Sequence, residues 1–132
     1  MSLQCDFVAF SDLCGMEAKV SLRSGEFLFR EGDEADALYI VSRGTLRIAS
    51  GSTVYEVIHA GDIVGEMAMV DQGSPRSASV IAGTYAELVK VDASDFLTLV
   101  SAAPDFALMV MRVMARRLRL MNQRYRPQAT TW

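Results

Sequence analysis

The chain has 132 residues, a formal net charge of −3 and 51% hydrophobic residues, which fits one globular domain without room for a second of ordinary size. Its 13 basic and 16 acidic residues leave no positive excess for neutralising duplex phosphates, so we expect no DNA binding by this chain. No apolar run reaches about 18 residues and no signal-peptide pattern opens the sequence, so we expect neither a membrane span nor export.

Few residues in the sequence could bind a metal ion. The cysteines are Cys5 and Cys14, and His59 is the single histidine. A structural zinc site usually needs about four close ligands, so we predict no metal site. We interpret the cysteines as reduced thiols of a cytoplasmic protein, with redox sensing as an alternative. Metal-dependent catalysis on a barrel usually needs several His and carboxylate ligands, and we therefore expect no enzymatic activity.

Residues 17–91 alternate short apolar runs with Gly and Asp turn signals, a pattern typical of many short strands. Residues 1–16 precede this region as an N-terminal lead-in. The regular spacing predicts a sandwich, a jelly roll or a small barrel. The predicted strands are Glu17–Leu22, Phe27–Arg30, Ala37–Ser42, Thr45–Ala49, Val54–His59, Ala78–Ala82 and Tyr85–Val91.

After residue 91 the hydrophobic pattern becomes helical. Asp92 fits an N-cap and Asp95 fits the first turn of a helix. Pro104 and Asp105 open a second helix, because proline is tolerated in the first turn and an acidic residue there complements the helix dipole. Pro127 would end that helix after about twenty residues. The sequence therefore predicts helices over residues 92–126.

The second predicted helix carries a seam of side chains spaced three and four residues apart, as in paired helices. The alternative is a helix packed only on its own sheet, since apolar residues surround most of its first half. Its arginines we interpret mainly as a solvated face. The seam consists of Leu108, Met111, Ala115, Leu118, Asn122 and Tyr125.

Residues 64–80 interrupt the strand pattern. Gly65–Val70 has the composition of one or two helical turns, and a short helix after a glycine offers N–H groups to an anion. Ten residues after Glu66, Arg76 offers a planar fork of donors for phosphate oxygens, beside the Ser77 hydroxyl. Glu66 could accept a hydrogen bond from a ribose hydroxyl, which would suit a nucleotide. From spacing alone, a structural ion pair between Glu66 and Arg76 is equally open.

Two motifs together point to a known family. In residues 28–44 a glycine-acid turn leads into four apolar residues and a second glycine. The other motif, called the cassette, is Gly65-Glu66-Met67-Ala68-Met69, followed after six residues by Arg76-Ser77-Ala78. In order and spacing the chain resembles, from about residue 25 to 125, the cyclic nucleotide-binding domains of bacterial catabolite activators, protein kinase A regulatory subunits and cyclic-nucleotide-gated channels.

This resemblance implies a fold that is mainly β, with C-terminal helices. Over residues 17–132 it would comprise a β jelly roll (double-stranded β-helix, 17–91) with a short cassette helix, and two C-terminal α-helices (92–126). The last helix would be a lid and often a dimer contact.

The resemblance also implies roles for single residues. Glu66 would bind the ribose 2′-hydroxyl and Arg76 the cyclic phosphate. The phosphate cradle would be completed by backbone groups of Gly65, Met67 and Ala68 together with Ser77. Ala78 would begin the next strand and leave space for the ligand. Val54, Ile63 and Val64 are expected either as walls for sugar and base or as ordinary core.

Three departures from the family pattern bear on specificity and output. In the transcription-factor branch, two lid-helix residues bind adenine through their hydroxyls. The corresponding positions here are Met121 and Asn122. Asn122 is therefore the candidate hydrogen-bond donor to the base, with Arg116 or Arg119 as alternatives. Ser77 stands where a threonine often accompanies cGMP preference, which favours cAMP. The sequence ends soon after Tyr125, so we expect no helix-turn-helix domain in this chain.

Together these observations predict a cytoplasmic, bacterial signalling domain that binds cAMP, or else cGMP, as a ligand and has no cofactor. Its C-terminal helix would relay binding to a homodimer partner or to an unidentified effector protein. The alternative is a dimerisation or docking module that keeps the cassette fold without binding a nucleotide.

Overall fold

The computed structural model describes residues 7–11 and 18–124. Its strands form two four-stranded sheets, with the orders β1-β8-β3-β6 and β2-β7-β4-β5, and their pairings are antiparallel. This arrangement confirms the predicted jelly roll. The strands are β1 Lys19–Leu22, β2 Phe27–Phe29, β3 Ala37–Arg43, β4 Thr45–Ser50, β5 Thr53–His59, β6 Ile63–Val64, β7 Ser79–Ala82 and β8 Ala86–Asp92. The helices are α1 Val8–Ser11, α2 Met67–Val70, α3 Ala93–Ala102 and α4 Pro104–Arg124.

Strand β3 is buried on both faces, which explains its unbroken apolar run. On one face Tyr39 and Val41 join the core between the two sheets. On the other face Leu38 and Ile40 join a second core beneath the helices. The jelly roll therefore has one sheet covered by the C-terminal helices.

The two C-terminal helices begin where the sequence predicts. Asp92 and Asp95 form a reciprocal capping box at the start of α3, in which the Asp92 carboxylate accepts a hydrogen bond from the Asp95 N–H at 2.9 Å. Helix α4 begins at Pro104 and buries Phe106, Val110 and Val113 in the core beneath the helices. Tyr125 and Pro127 lie outside the described residues.

Part of the predicted lead-in packs on this body. Phe7 is fully buried, and its ring centroid lies 5.8 Å from that of Phe106 in an edge-to-face contact. Phe10 contacts the same ring at 5.3 Å. Phe7, Val8 and Phe10 thus belong to the core beneath the helices, whereas Cys5 and Cys14 lie outside the described residues.

The predicted strands need two corrections near the cassette, one in a boundary and one in the number of strands. The strand after the cassette begins at Ser79, one residue later than the predicted Ala78. Strand β6 was not predicted, because two residues are too few to show a period; it pairs with Tyr39 and Ile40 of β3.

Within the described part of the chain, no single helix is both long and apolar enough to cross a membrane. Only Ala93–Ala102 and Pro104–Gln123 taken together, bent by 117°, meet the length and composition criteria.

Candidate functional site

A cavity of about 630 Å³ lies between the second sheet, the cassette and α4. This volume is within the range of small-molecule sites, about 300–1,000 Å³. One wall comes from the sheet and includes the apolar side chains of Phe29, Ile48 and Val80. The side formed by α4 includes Met114, Leu118 and Met121. The cavity is large enough for a mononucleotide-sized ligand.

The structure brings seven of the eight predicted site residues together on the lining of this cavity. The eighth, Asn122, is exposed on α4 and is not among the lining residues. Because a helix rotates by about 100° per residue, the neighbouring Met121 occupies the cavity-facing position instead. The seven residues are Gly65, Glu66, Met67, Ala68, Arg76, Ser77 and Ala78.

Arg76 is a buried cation in the cavity wall, with its residue 6% exposed. Nη2 donates to the Ala37 carbonyl at 2.8 Å, and Nη1 donates to the Gly65 carbonyl at 3.4 Å. The guanidinium also lies over the Phe29 ring, 3.9 Å from its centroid. Among the described residues, the nearest carboxylate oxygen is Oδ1 of the exposed Asp36, which lies 3.9 Å from Nη2.

The charge of Arg76 is only partly compensated. Its Nε is buried and has no hydrogen-bond partner among the described residues. Burial lowers the pKa of Arg76, and the more distant Tyr39 and Asp36 offset this effect only in part. An arginine nevertheless keeps its charge in proteins. A buried cation with an unpaired donor in a cavity wall is suited to binding an anion.

Gly65 allows the cassette backbone to approach Arg76. Its φ of +78° lies in the left-handed region, and a Cβ there would sit 2.7 Å from Arg76 Nη1 and 3.1 Å from the Ala37 oxygen. A side chain at residue 65 would therefore displace the guanidinium.

Glu66 is also buried, but it does not pair with Arg76. Its Oε1 accepts a hydrogen bond from Arg117 Nη1 on α4 at 2.6 Å. The possible structural pair of Glu66 with Arg76 is thus replaced by a pair that connects the cassette to the last helix.

Arg117 also lines the cavity, although the sequence does not predict this. It donates to Glu56 Oε1 at 3.2 Å and to the Ile63 carbonyl at 2.7 Å, and it lies 3.6 Å from Asp62 Oδ1. Burial alone would lower the pKa of Arg117, but the carboxylates of Glu66, Asp62 and Glu56 outweigh it and raise that pKa. The sequence favours a solvated face for the arginines of this helix, and no local signal distinguishes Arg117 from its neighbours.

The other predicted donors for a base lie elsewhere. Arg116 donates to Asp62 Oδ2 at 2.8 Å and to Glu56 Oε2 at 3.2 Å, and Arg119 is exposed and does not line the cavity.

One backbone donor predicted for the phosphate cradle is already used within the cassette. The Ala68 N–H donates to the Gly65 carbonyl at 3.2 Å, within the turn that opens α2.

The expectation of a wall formed by Val54, Ile63 and Val64 is wrong. Ile63 and Val64 are fully buried in the two cores, and Val54 is 46% exposed on β5. None of the three lines the cavity. Strand pairing turned the side chains of β6 toward the cores, so of the two expected roles, ordinary core is the one that holds for Ile63 and Val64.

An eight-stranded jelly roll that places a buried arginine and glutamate of one cassette on a cavity beneath a C-terminal helix defines a class of ligand-binding β domains. Residues 19–103 match the family model described as "Cyclic nucleotide-binding domain". The chain belongs to this family.

Individual relatives agree with this assignment. The chain is 33% identical over 100 residues to the cyclic AMP receptor protein of Thermus thermophilus, covering 72% of this chain and 46% of that protein. It is 32% identical over 105 residues to lysophospholipase nte1 of Neurospora crassa, covering 76% of this chain but 7% of that protein. The chain therefore spans less than half the length of either relative. The crystal structure of the Thermus thermophilus catabolite activator protein superposes with a TM-score of 0.74 at 28% identity, covering 88% of this chain and 57% of that one.

Proposed function

We propose that this domain is a non-enzymatic, cytoplasmic receptor for a cyclic mononucleotide, with cAMP as the first candidate ligand. The observation that carries the proposal is Arg76, a buried guanidinium with an unpaired Nε on the wall of a nucleotide-sized cavity. A cyclic phosphate would supply both the missing acceptor and the missing negative charge. The exposed Ser77 hydroxyl, next along the cavity lining, would add one more donor.

Glu66 would accept the ribose hydroxyl. A carboxylate has acceptor sites on two oxygens, so Glu66 can keep Arg117 on Oε1 and accept a further donor. Arg117 acts here as a positioning residue, because it holds the Glu66 carboxylate toward the cavity. The similarity to a cyclic AMP receptor protein supports cAMP as the ligand to test first.

Output would pass through α4. This helix contributes Arg117 and Leu118 to the cavity lining, so a ligand that contacts them has a different affinity for different positions of the helix. The binding free energy difference between those positions sets how far the helix population shifts. The receiver would be a second copy of the chain or an effector protein.

Isothermal titration with cAMP and cGMP tests the receptor function. We expect the wild-type protein to bind, and Arg76→Gln to lose about 2–5 kcal/mol of binding free energy because the phosphate charge would remain unpaired. Arg43→Gln is the matched control, since Arg43 is a 70% exposed arginine that does not line the cavity. Absence of binding by the wild-type protein below the millimolar range would reject the receptor function.

The exposed seam of α4 favours a second function, homodimerisation. Leu108, Met111 and Leu118 are 44%, 57% and 59% exposed, whereas the opposite face of the helix is buried on the domain. One face of the helix thus packs on its own domain, and a paired helix would lie against the exposed seam. Sedimentation velocity of Met111→Glu, with the exposed Arg112→Glu as control, tests the seam with and without cAMP. We expect Met111→Glu alone to shift the protein toward monomer, and a monomeric wild-type protein would contradict dimerisation.

A further inference from the structure

We propose that the site takes cAMP and cGMP with similar affinity, because the residues left to contact the base are apolar. This inference rests on the proposed receptor function and concerns how that receptor selects its ligand.

Once Arg76 and Glu66 are assigned to phosphate and ribose, the base faces the remaining lining. On the α4 side that lining is made by aliphatic and thioether side chains, and Arg117 is the exception. The α4 residues in question are Met114, Ala115, Leu118, Leu120 and Met121. Such surfaces contact the face of a purine ring through dispersion and sulfur–aromatic contacts, which do not depend on the groups at the ring edge.

The polar groups of α4 are unavailable for reading a base edge. Arg117 is engaged by two carboxylates and a backbone carbonyl. Arg116 is held by Glu56 and Asp62, and Asn122 does not line the cavity.

The polar groups of the sheet wall are also engaged. The Ser50 hydroxyl donates to Glu31 Oε1 at 2.9 Å, and Glu56 accepts from both arginines of α4. Tyr55 is not free either. Among the described residues that line the sheet and α4 sides of the cavity, every polar side chain therefore already has an interaction partner.

This composition limits discrimination between purines. Adenine and guanine have the same ring system and differ in the hydrogen-bonding groups at its edge. A site that bonds those groups rejects the wrong base by about 10⁴-fold or more, whereas an apolar site discriminates weakly. Leu118 and Met121 are 59% and 60% exposed, so the edge of the base can stay in contact with water and neither base loses its hydration.

The test is calorimetric titration of the wild-type protein, Met121→Ala and Asn122→Ala with cAMP and with cGMP. We expect the two wild-type dissociation constants to agree within about tenfold. Met121→Ala should weaken both nucleotides by a similar factor of about two to ten, since it removes apolar contact area only. Asn122→Ala is the matched control on the neighbouring exposed residue and should leave both affinities within about twofold.

Any other outcome would overturn the inference of similar affinities. A wild-type preference above about tenfold, or a preference that Asn122→Ala abolishes, would mean that a polar group reads the base, and it would leave the receptor function intact. Absence of binding by both nucleotides would overturn the receptor function together with this inference.

Discussion

The arginine pair on α4 allows a sharp test of the contact between helix and cassette. Arg116 and Arg117 are adjacent and share Glu56 and Asp62 as partners, but their side chains are 41% and 12% exposed. Only Arg117 also reaches Glu66, whose side chain is 8% exposed. Replacing either arginine by methionine removes the charge and keeps most of the side-chain length. The two variants therefore compare a buried and a half-exposed ion pair in one network.

The expected magnitudes differ because burial differs. Arg117→Met leaves Glu66 as a buried carboxylate without its partner and the Ile63 carbonyl without its donor, a loss of about 3–5 kcal/mol. Arg116→Met breaks a half-exposed pair and should cost about 0–1 kcal/mol. Because the pKa of Arg117 is raised in the fold, its contribution is fully present at every pH below the ordinary arginine pKa, including neutral pH.

Urea unfolding followed by circular dichroism measures both losses. With a slope m of about 1–3 kcal/mol per molar, Arg117→Met should lower the midpoint by roughly 1–3 M without changing m. Adding Glu66→Gln to Arg117→Met should recover part of the loss, because the uncompensated charge is then removed. Equal, small losses for Arg116→Met and Arg117→Met would refute the reasoning, since they would mean that the Arg117 network is effectively solvated.

Three further predictions concern the cassette and the helix start. Gly65→Ala should weaken cAMP binding and destabilise the fold by more than the approximately 1–2 kcal/mol of backbone strain. The control is Gly73→Ala, which should show the strain alone, because Gly73 has a φ of +90° and nothing lies within 4 Å of an added Cβ. Equal effects of the two variants in titration and urea unfolding would mean that the contact of residue 65 with Arg76 is unimportant. Phe29→Leu should weaken cAMP binding by about 0.5–2 kcal/mol through loss of the contact with the Arg76 guanidinium. Calorimetry should find no such loss in an Arg76→Gln background, and an additive effect there would mean that Phe29 contacts the ligand directly. Asp92→Ala should cost about 0.5–2 kcal/mol in urea unfolding by removing the α3 cap, and an unchanged midpoint would contradict the capping role.

Features encoded locally were predictable from the sequence. The Asp92–Asp95 capping box and the proline at residue 104 mark helix starts within a few residues, and both helices begin as predicted. The strand ends shift by one or two residues, because pairing with a neighbour sets where a strand stops. Strand β6 exists only through its pairing with β3, so no periodicity could reveal it.

The residues of the site also divide into those that local sequence predicts and those that only tertiary packing brings to the cavity. The cassette residues lie within one stretch, and their spacing to Arg76 was enough to bring them onto one cavity. Arg117 is 51 positions from Glu66, and its role follows from the rotation of α4 relative to β5 and β6. The same rotation selects Met121 over Asn122 for the cavity. Tertiary packing determined both, and a single sequence carries no local record of it.

The network around Glu66 gives a physical reason for coupling ligand and helix under the proposed function. Glu66 is shared between the cavity and Arg117, and Arg117 is joined through Glu56 and Asp62 to β5 and to the turn before β6. A ribose hydroxyl that donates to Glu66 draws on the same negative charge that holds α4. Binding and helix position are then linked by one coupling free energy, typically about 1–3 kcal/mol, and the linkage is reciprocal. Any partner that moves α4 must therefore change the nucleotide affinity by the same factor by which the nucleotide changes the affinity for that partner.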